Sequence, residues 1–231
     1  MAHLHTRISY SFCIAVTLFV VCLIYIPQWK YYAPSVHDPE PVTPYLTPWT
    51  VVFVTLLSLA LALLSAPVNR HNPGLVVLSK ALCALVLCGS IVFLLEYATE
   101  IRFRDLDIFF RPDATGGRVS LYVARPTPQS AATSLFFSSA LLLFRSEPIW
   151  RKRAFQILLV AALALPTLAG ARYIGDLLVP RNTITSLRVG LSLPAITLYF
   201  LLGSGTLGLS FGPRFQKAAS PQLGRTPARP A

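Results

Sequence analysis

Six apolar stretches divide this chain, each long enough, or nearly so, to cross a lipid bilayer. They cover about residues 9–26, 48–66, 75–97, 129–144, 154–171 and 189–211. A spanning helix needs about 20 predominantly apolar residues, because hydrocarbon offers no water to satisfy backbone polar groups. The fold class this pattern dictates is all-α: an integral membrane bundle of about six transmembrane helices in three hairpins. Composition agrees, with 54% of residues hydrophobic and 13% charged, about half the charged share of an ordinary soluble domain. A water-soluble globule and extensive disorder are both excluded.

The fourth stretch is short and rich in hydroxyls: Ser130, Thr133, Ser134, Ser138 and Ser139. As a helix over 129–144 it rises about 24 Å, and its small polar side chains suit packing against neighbouring helices better than facing lipid. The first stretch follows Arg7 as a secretory leader would. Its apolar core is too long for one, and Tyr31 stands before Ala33 where a small residue is required, so an uncleaved anchor is expected.

Lys and Arg number 20 against 9 acids, a net charge of +11. In a soluble protein this would point to nucleic acid; across six spans it becomes a question of sidedness. With the N-terminus inside, eleven basic residues and the single acid Glu147 face inward, against nine basic residues and eight acids outward. The inner set includes Arg151-Lys152-Arg153, read as a very short turn, so both termini are expected on the cytoplasmic side of a bacterial inner membrane, with the basic excess against anionic headgroups. Residues 1–211 form the membrane domain, and 212–231 a disordered basic cytoplasmic tail, Pro-rich from Ser220.

The longest outer loop, 98–128, opens with Glu100 to Phe110, where Phe103, Leu106 and Phe110 fall at helical spacing with charges between them. That is the pattern of a short helix lying on the membrane surface, and Gly116-Gly117 breaks it. Its charge beside interfacial aromatics makes Arg102, Arg104, Asp105, Asp107 and Arg125 the candidate outer sensing surface. Glu96, Arg172 and Arg188 stand at the outer ends of spans, where Glu96 with either arginine would form an ion pair between hairpins. Nothing charged lies at a midplane, which argues against ion-coupled transport. Pro166 and Pro194 are expected to kink the fifth and sixth spans.

Where the chain re-enters the membrane, one phrase recurs. Leu46-Thr47-Pro48-Trp49-Thr50 precedes the second span, Pro126-Thr127-Pro128-Gln129-Ser130 the fourth, and Leu191-Ser192-Leu193-Pro194 opens the sixth in degenerate form. Pro in a helix's first turn forfeits no hydrogen bond, and a preceding Thr or Ser can cap it. The phrase fits any inward-going helix start, and it also fits three hairpins built from one repeated unit.

These phrases, with Leu95-Glu96-Tyr97 leading into Ile101–Phe110, Arg125–Ala131, and Tyr173-Ile174-Gly175, resemble the N-terminal multi-span sensor region of bacterial sensor histidine kinases and diguanylate cyclases. That region's descending spans begin with a Met-x-Pro-Asn-Thr-Ala-Leu phrase; here Trp49 and Gln129 replace its Asn, and Ser192 a frequent His. The resemblance covers most of residues 10–211 and implies a sensing or anchoring module, without any catalytic domain, that reports to a separate cytoplasmic signalling protein of a two-component system.

Other chemistries find no support. Gly203-Ser204-Gly205-Thr206-Leu207-Gly208 matches a dinucleotide fingerprint by letter, but it lies within a span, so Gly203, Gly205 and Gly208 read as close-packing residues. Ser204 has no histidine within reach, since His3, His5, His37 and His71 all lie in the terminus or loops. No metal-ligand spacing occurs and no cofactor is expected; Cys13, Cys22, Cys83 and Cys88 are read as packing residues. The expected function is a non-enzymatic membrane sensor or anchor. Its partners are the lipid bilayer, a cytoplasmic signalling protein and a second copy of the chain, not nucleic acid. The alternatives are a small transporter or lipid-handling protein, which predicts a polar path through the bundle, and a structural subunit of a membrane complex.

Overall fold

A computed structural model of the chain describes residues 10–31, 46–66, 73–101, 125–144, 149–178 and 191–210. The described residues form six helices and no strands: α1 (Tyr10–Tyr31), α2 (Pro48–Ser65), α3 (Pro73–Thr99), α4 (Pro128–Leu143), α5 (Ile149–Leu178) and α6 (Leu193–Ser210). Three segments are long and apolar enough to cross a membrane, Pro48–Ser65, Pro73–Thr99 and Trp150–Gly175; Tyr10–Tyr25 and Leu193–Leu209 are shorter apolar helices.

Consecutive helices pack side by side, α6 returns to α1, and the even-numbered helices α2, α4 and α6 also touch one another. The ring therefore has α2, α4 and α6 on its inner side. No described side chain of α2 or α4 is exposed. The odd-numbered helices instead bury one stripe in 4-3-4 spacing, as at Ser11, Ala15, Leu18 and Cys22 of α1 and at Ser79, Cys83, Val86 and Ser90 of α3, the spacing that keeps one helix face inward. Their other faces present Val16, Val20 and Leu23, Val77 and Leu85, or Ile157 and Val160 outward, as lipid-facing helices do.

The three inner helices share one register. The backbone N–H groups of Val51, Ala131 and Ile196 donate to the carbonyls of Thr47, Thr127 and Ser192 over 3.1, 2.9 and 2.9 Å. Thr127 Oγ1 accepts from the N–H of Ser130 at 3.2 Å and Ser192 Oγ from that of Ala195 at 3.3 Å, capping otherwise orphaned donors. From Thr50 to Leu61 the order of buried and unburied positions is the same as from Ser130 to Leu141, apart from grades of partial exposure, and buried positions fall at the same places from Ala195 to Thr206. The third phrase, degenerate as letters, thus starts its helix as the other two do.

Two details differ from the sequence reading. Arg151-Lys152-Arg153 is not a turn but the first turns of α5, which begins at Ile149; interfacial arginines and lysines can extend a helix because their long stems carry the charge to water. Pro194 lies in the first turn of α6, after the Ser192 cap, where it kinks nothing. Pro166 lies within α5, which is helical on both sides of it. α3 ends where Glu100 takes a left-handed conformation, φ 57°, a common way to stop a helix.

Candidate functional site

The starts of α2, α4 and α6 meet the end of α3, and polar side chains collect there. The inward stripe of α3 runs from Phe93 to Glu96, placing a carboxylate inside the bundle, 3% exposed, against the Arg125 guanidinium, 2% exposed. Arg125 immediately precedes the Pro-Thr-Pro start of α4, so the pair joins both ends of the segment between α3 and α4. Beside it the Tyr97 hydroxyl donates to the carbonyl of Pro126 at 2.8 Å. An ion pair removed from water is stable only while both partners remain, since a lone buried charge costs several kcal/mol.

Next to this clasp a chain of hydroxyls links the inner helices. Thr47 Oγ1 lies 2.7 Å from Thr50 Oγ1, Thr50 Oγ1 2.9 Å from Ser130 Oγ, and Ser130 Oγ 2.8 Å from the Tyr199 hydroxyl, which is also 2.7 Å from Ser134 Oγ. Tyr199 OH further donates to the carbonyl of Ser130 at 3.1 Å. That carbonyl has no proton to give, and a phenol has one. With Tyr199 donating there, both serine hydroxyls donate to Tyr199, Thr50 donates to Ser130, and Thr47 donates to Thr50. The donors run from Thr47 through Thr50 and Ser130 to Tyr199, whose own proton returns to the Ser130 carbonyl of α4.

Tyr199 occupies an informative place. Thr50 and Ser130 each follow their cap by three residues, and the equivalent of α6 is Ala195, which has no hydroxyl. Tyr199, one turn further along α6, supplies the missing oxygen from the fully buried interior. Its ring lies parallel to Phe137, centroids 6.0 Å apart at 6°. Just beyond, Leu57, Phe137 and Leu202, all fully buried, occupy equivalent positions of the three inner helices. The hydroxyl chain ends at this apolar layer.

Two further side chains tie the helix starts together. Gln129 Oε1 accepts from the Leu191 N–H at 3.1 Å, tying the start of α4 to that of α6. Trp49 meets Phe93 edge-on at 5.2 Å and Phe53 at 6.0 Å.

Two assignments read from the sequence are corrected. Arg125 is not part of an exposed outer surface, being buried on Glu96. The described partner of Glu96 is Arg125, within one hairpin, and not Arg172, which is exposed on α5 because it lies off that helix's inward stripe. Arg102, Arg104, Asp105, Asp107 and Arg188 lie outside the described residues, as do the 102–124 part of the loop and the 212–231 tail. The signals that could have located the site are the stripe Ser79-Cys83-Val86-Ser90-Phe93-Glu96, which turns Glu96 inward, and the cap register, which turns Thr50 and Ser130 toward each other.

Gly203, Gly205 and Gly208 stand within α6, not between a strand and a helix. A Cβ at Gly203 would lie 2.4 Å from Leu163 Cδ2, at Gly205 2.9 Å from Leu61 Cδ2, and at Gly208 2.7 Å from Ser11 Oγ. They permit α6 to approach α5, α2 and α1. Among the described residues no group of three His, Cys, Asp or Glu could hold a metal ion, and the four cysteines are free, Cys22 and Cys83 buried, Cys13 and Cys88 exposed. No protein family matches the chain, and no curated protein or solved structure matches it either.

Proposed function

We propose that the chain is a six-span membrane bundle of three like hairpins, both termini cytoplasmic in a bacterial inner membrane, acting as a non-catalytic sensor or anchor module. The observation carrying this reading is the buried Glu96–Arg125 clasp. It fixes both ends of the segment between α3 and α4 to the point where all three return helices start, and the hydroxyl chain continues from there through α2, α4 and α6. A stimulus acting on that segment, or on the adjacent membrane, bears directly on how the hairpins pack, and a separate cytoplasmic signalling protein reads the change at the far end.

The interior favours this over transport. A permeation path needs linked polar groups continuing through the bundle, whereas the linked hydroxyls end at Leu57, Phe137 and Leu202. The buried Ser58, Ser138 and Thr206 beyond that layer donate to carbonyls of their own helices. The like hairpins are supported by the common cap and burial register of α2, α4 and α6.

Two measurements test the reading. Topology reporters fused after Phe144 and after Arg214 should both report cytoplasm, and a periplasmic signal from either overturns the hairpin scheme. Spin labels at the far ends of α2 and α4 in the full chain should change separation in Glu96→Gln relative to the parent protein. Unchanged separations would refute the transmission role of the clasp.

A further inference from the structure

The first turns of α5 carry a surface that neither the clasp nor the hydroxyl chain uses. Trp150 is 59% exposed, the guanidinium of Arg151 lies over its ring at 5.1 Å, and Arg151 and Arg153 are both exposed. No acid lies in this first turn. The side of the helix that carries Trp150 and Arg153 continues, at three- and four-residue intervals, through Ile157, Val160, Ala164 and Leu168, all exposed. Arg151, whose backbone lies off this side, joins the group through its guanidinium over the Trp150 ring. From Ile157 to Leu168 the helix rises about 16 Å at 1.5 Å per residue, about half of a ~30 Å hydrocarbon core, or one leaflet. The basic-aromatic group thus caps an apolar track one acyl chain long.

From this arrangement we infer a binding site for a single class of ligand, a phospholipid with an anionic headgroup. The acyl chain lies along Ile157, Val160, Ala164 and Leu168, and the headgroup phosphate meets Arg151 and Arg153 at the level of the Trp150 ring. Each half fits the same molecule: an apolar track alone accepts any lipid, and the two guanidiniums alone accept any anion, but their head-to-tail register selects an anionic amphiphile. Arginine suits phosphate because its planar donors engage two oxygens at once, and Arg151 is held in place by the indole it covers. The inference rests on α5 crossing the membrane and is independent of whether the bundle senses anything.

The test uses the full chain in Trp29→Phe/Trp49→Phe form, which leaves Trp150 as the single indole of three, reconstituted into phosphatidylcholine vesicles. Brominated phosphatidylglycerol or brominated phosphatidylcholine is titrated in, and quenching of Trp150 reads occupancy of this site. Phosphatidylglycerol should quench at a mole fraction lower by up to about 25-fold. Each juxtamembrane arginine contributes about fivefold, so Arg151→Gln/Arg153→Gln should bring the two lipids level, and Arg151→Lys/Arg153→Lys should keep most of the preference. Equal quenching by both lipids in the parent, or a preference that survives the double Gln change, overturns the site. So does abolition of the preference by inorganic phosphate at matched ionic strength, which marks a soluble-anion site, or no quenching by either lipid, which marks a face covered by a second copy. Co-flotation of the protein with vesicles after a urea wash separates these failures from failure of the membrane reading itself.

Discussion

Replacing Tyr199 by Phe and then Ala195 by Ser tests whether the inner helices are held by hydroxyls in equivalent positions. Tyr199→Phe keeps the ring on Phe137 and removes one oxygen that bonds Ser130 Oγ, Ser134 Oγ and the Ser130 carbonyl. A buried hydrogen bond contributes a net ~0.5–1.5 kcal/mol in water-soluble proteins, and about 0.6 on average between membrane helices. Three bonds do not simply add, because Ser134 can turn to the carbonyl one helical turn back, as Thr133 already does toward Gln129 at 2.8 Å. The expected cost is therefore about 1–2 kcal/mol. Ala195→Ser alone should cost about 0.5 kcal/mol in helix propensity. Placed on Tyr199→Phe, it restores an oxygen at the position Thr50 and Ser130 hold in their helices and should recover about 1 kcal/mol, so the two changes couple. The assay is thermal unfolding of the full chain in detergent, followed by a thiol-reactive dye that reaches Cys22 and Cys83 only on opening, in a Cys13→Ser/Cys88→Ser background. The reasoning is refuted if Tyr199→Phe lies within about 0.3 kcal/mol of the parent protein, a shift too small for even one average membrane hydrogen bond. It is equally refuted if Ala195→Ser helps no more in the presence of Tyr199→Phe than in its absence.

Further outcomes follow from the clasp and the glycines. Glu96→Gln should destabilise by about 3–5 kcal/mol in the same assay, because Arg125 is left as a buried unpaired charge, while Glu96→Gln/Arg125→Gln should cost clearly less than the two single changes together. Gly203→Ala should cost about 1–3 kcal/mol, since its Cβ overlaps Leu163. Gly175→Ala, with nothing within 4 Å of its Cβ, should be neutral or stabilising by up to about 1 kcal/mol, which separates packing from any general effect of removing a glycine.

The helices are legible in the sequence because apolar runs of this length have few alternatives, and the starts of α2 and α4 because a Thr-Pro pair opens each. The Thr127 side chain caps α4, while Thr47 bonds Thr50 instead. The third start looks degenerate as letters for a physical reason. Its hydroxyl is displaced one turn, from Ala195 to Tyr199, and letter-by-letter comparison cannot see that a longer side chain reaches the same point. The start of α5 was misplaced because Arg-Lys-Arg reads as a loop when judged by polarity, although a helix can carry such residues at an interface. The ion pair was misassigned because charge and position along a span do not say which way a side chain faces. The stripe of α3 does say so for Glu96, but nothing in Arg125-Pro126 announces that the arginine folds inward.

The enclosure of α4 has a consequence for how the protein is made. At 16 residues it rises about 24 Å, short of a ~30 Å hydrocarbon core, and its serines and threonines make it a poor candidate to partition into lipid alone. It packs against α2, α3, α5 and α6, so helices on either side of it in the chain form its surroundings. A nascent chain that has delivered only α1 to α4 leaves one flank of α4 without its partner until α5 emerges. On the six-span reading proposed above, biogenesis is thereby ordered: the insertion machinery would shelter α4, and release would come as a group of helices rather than one span at a time.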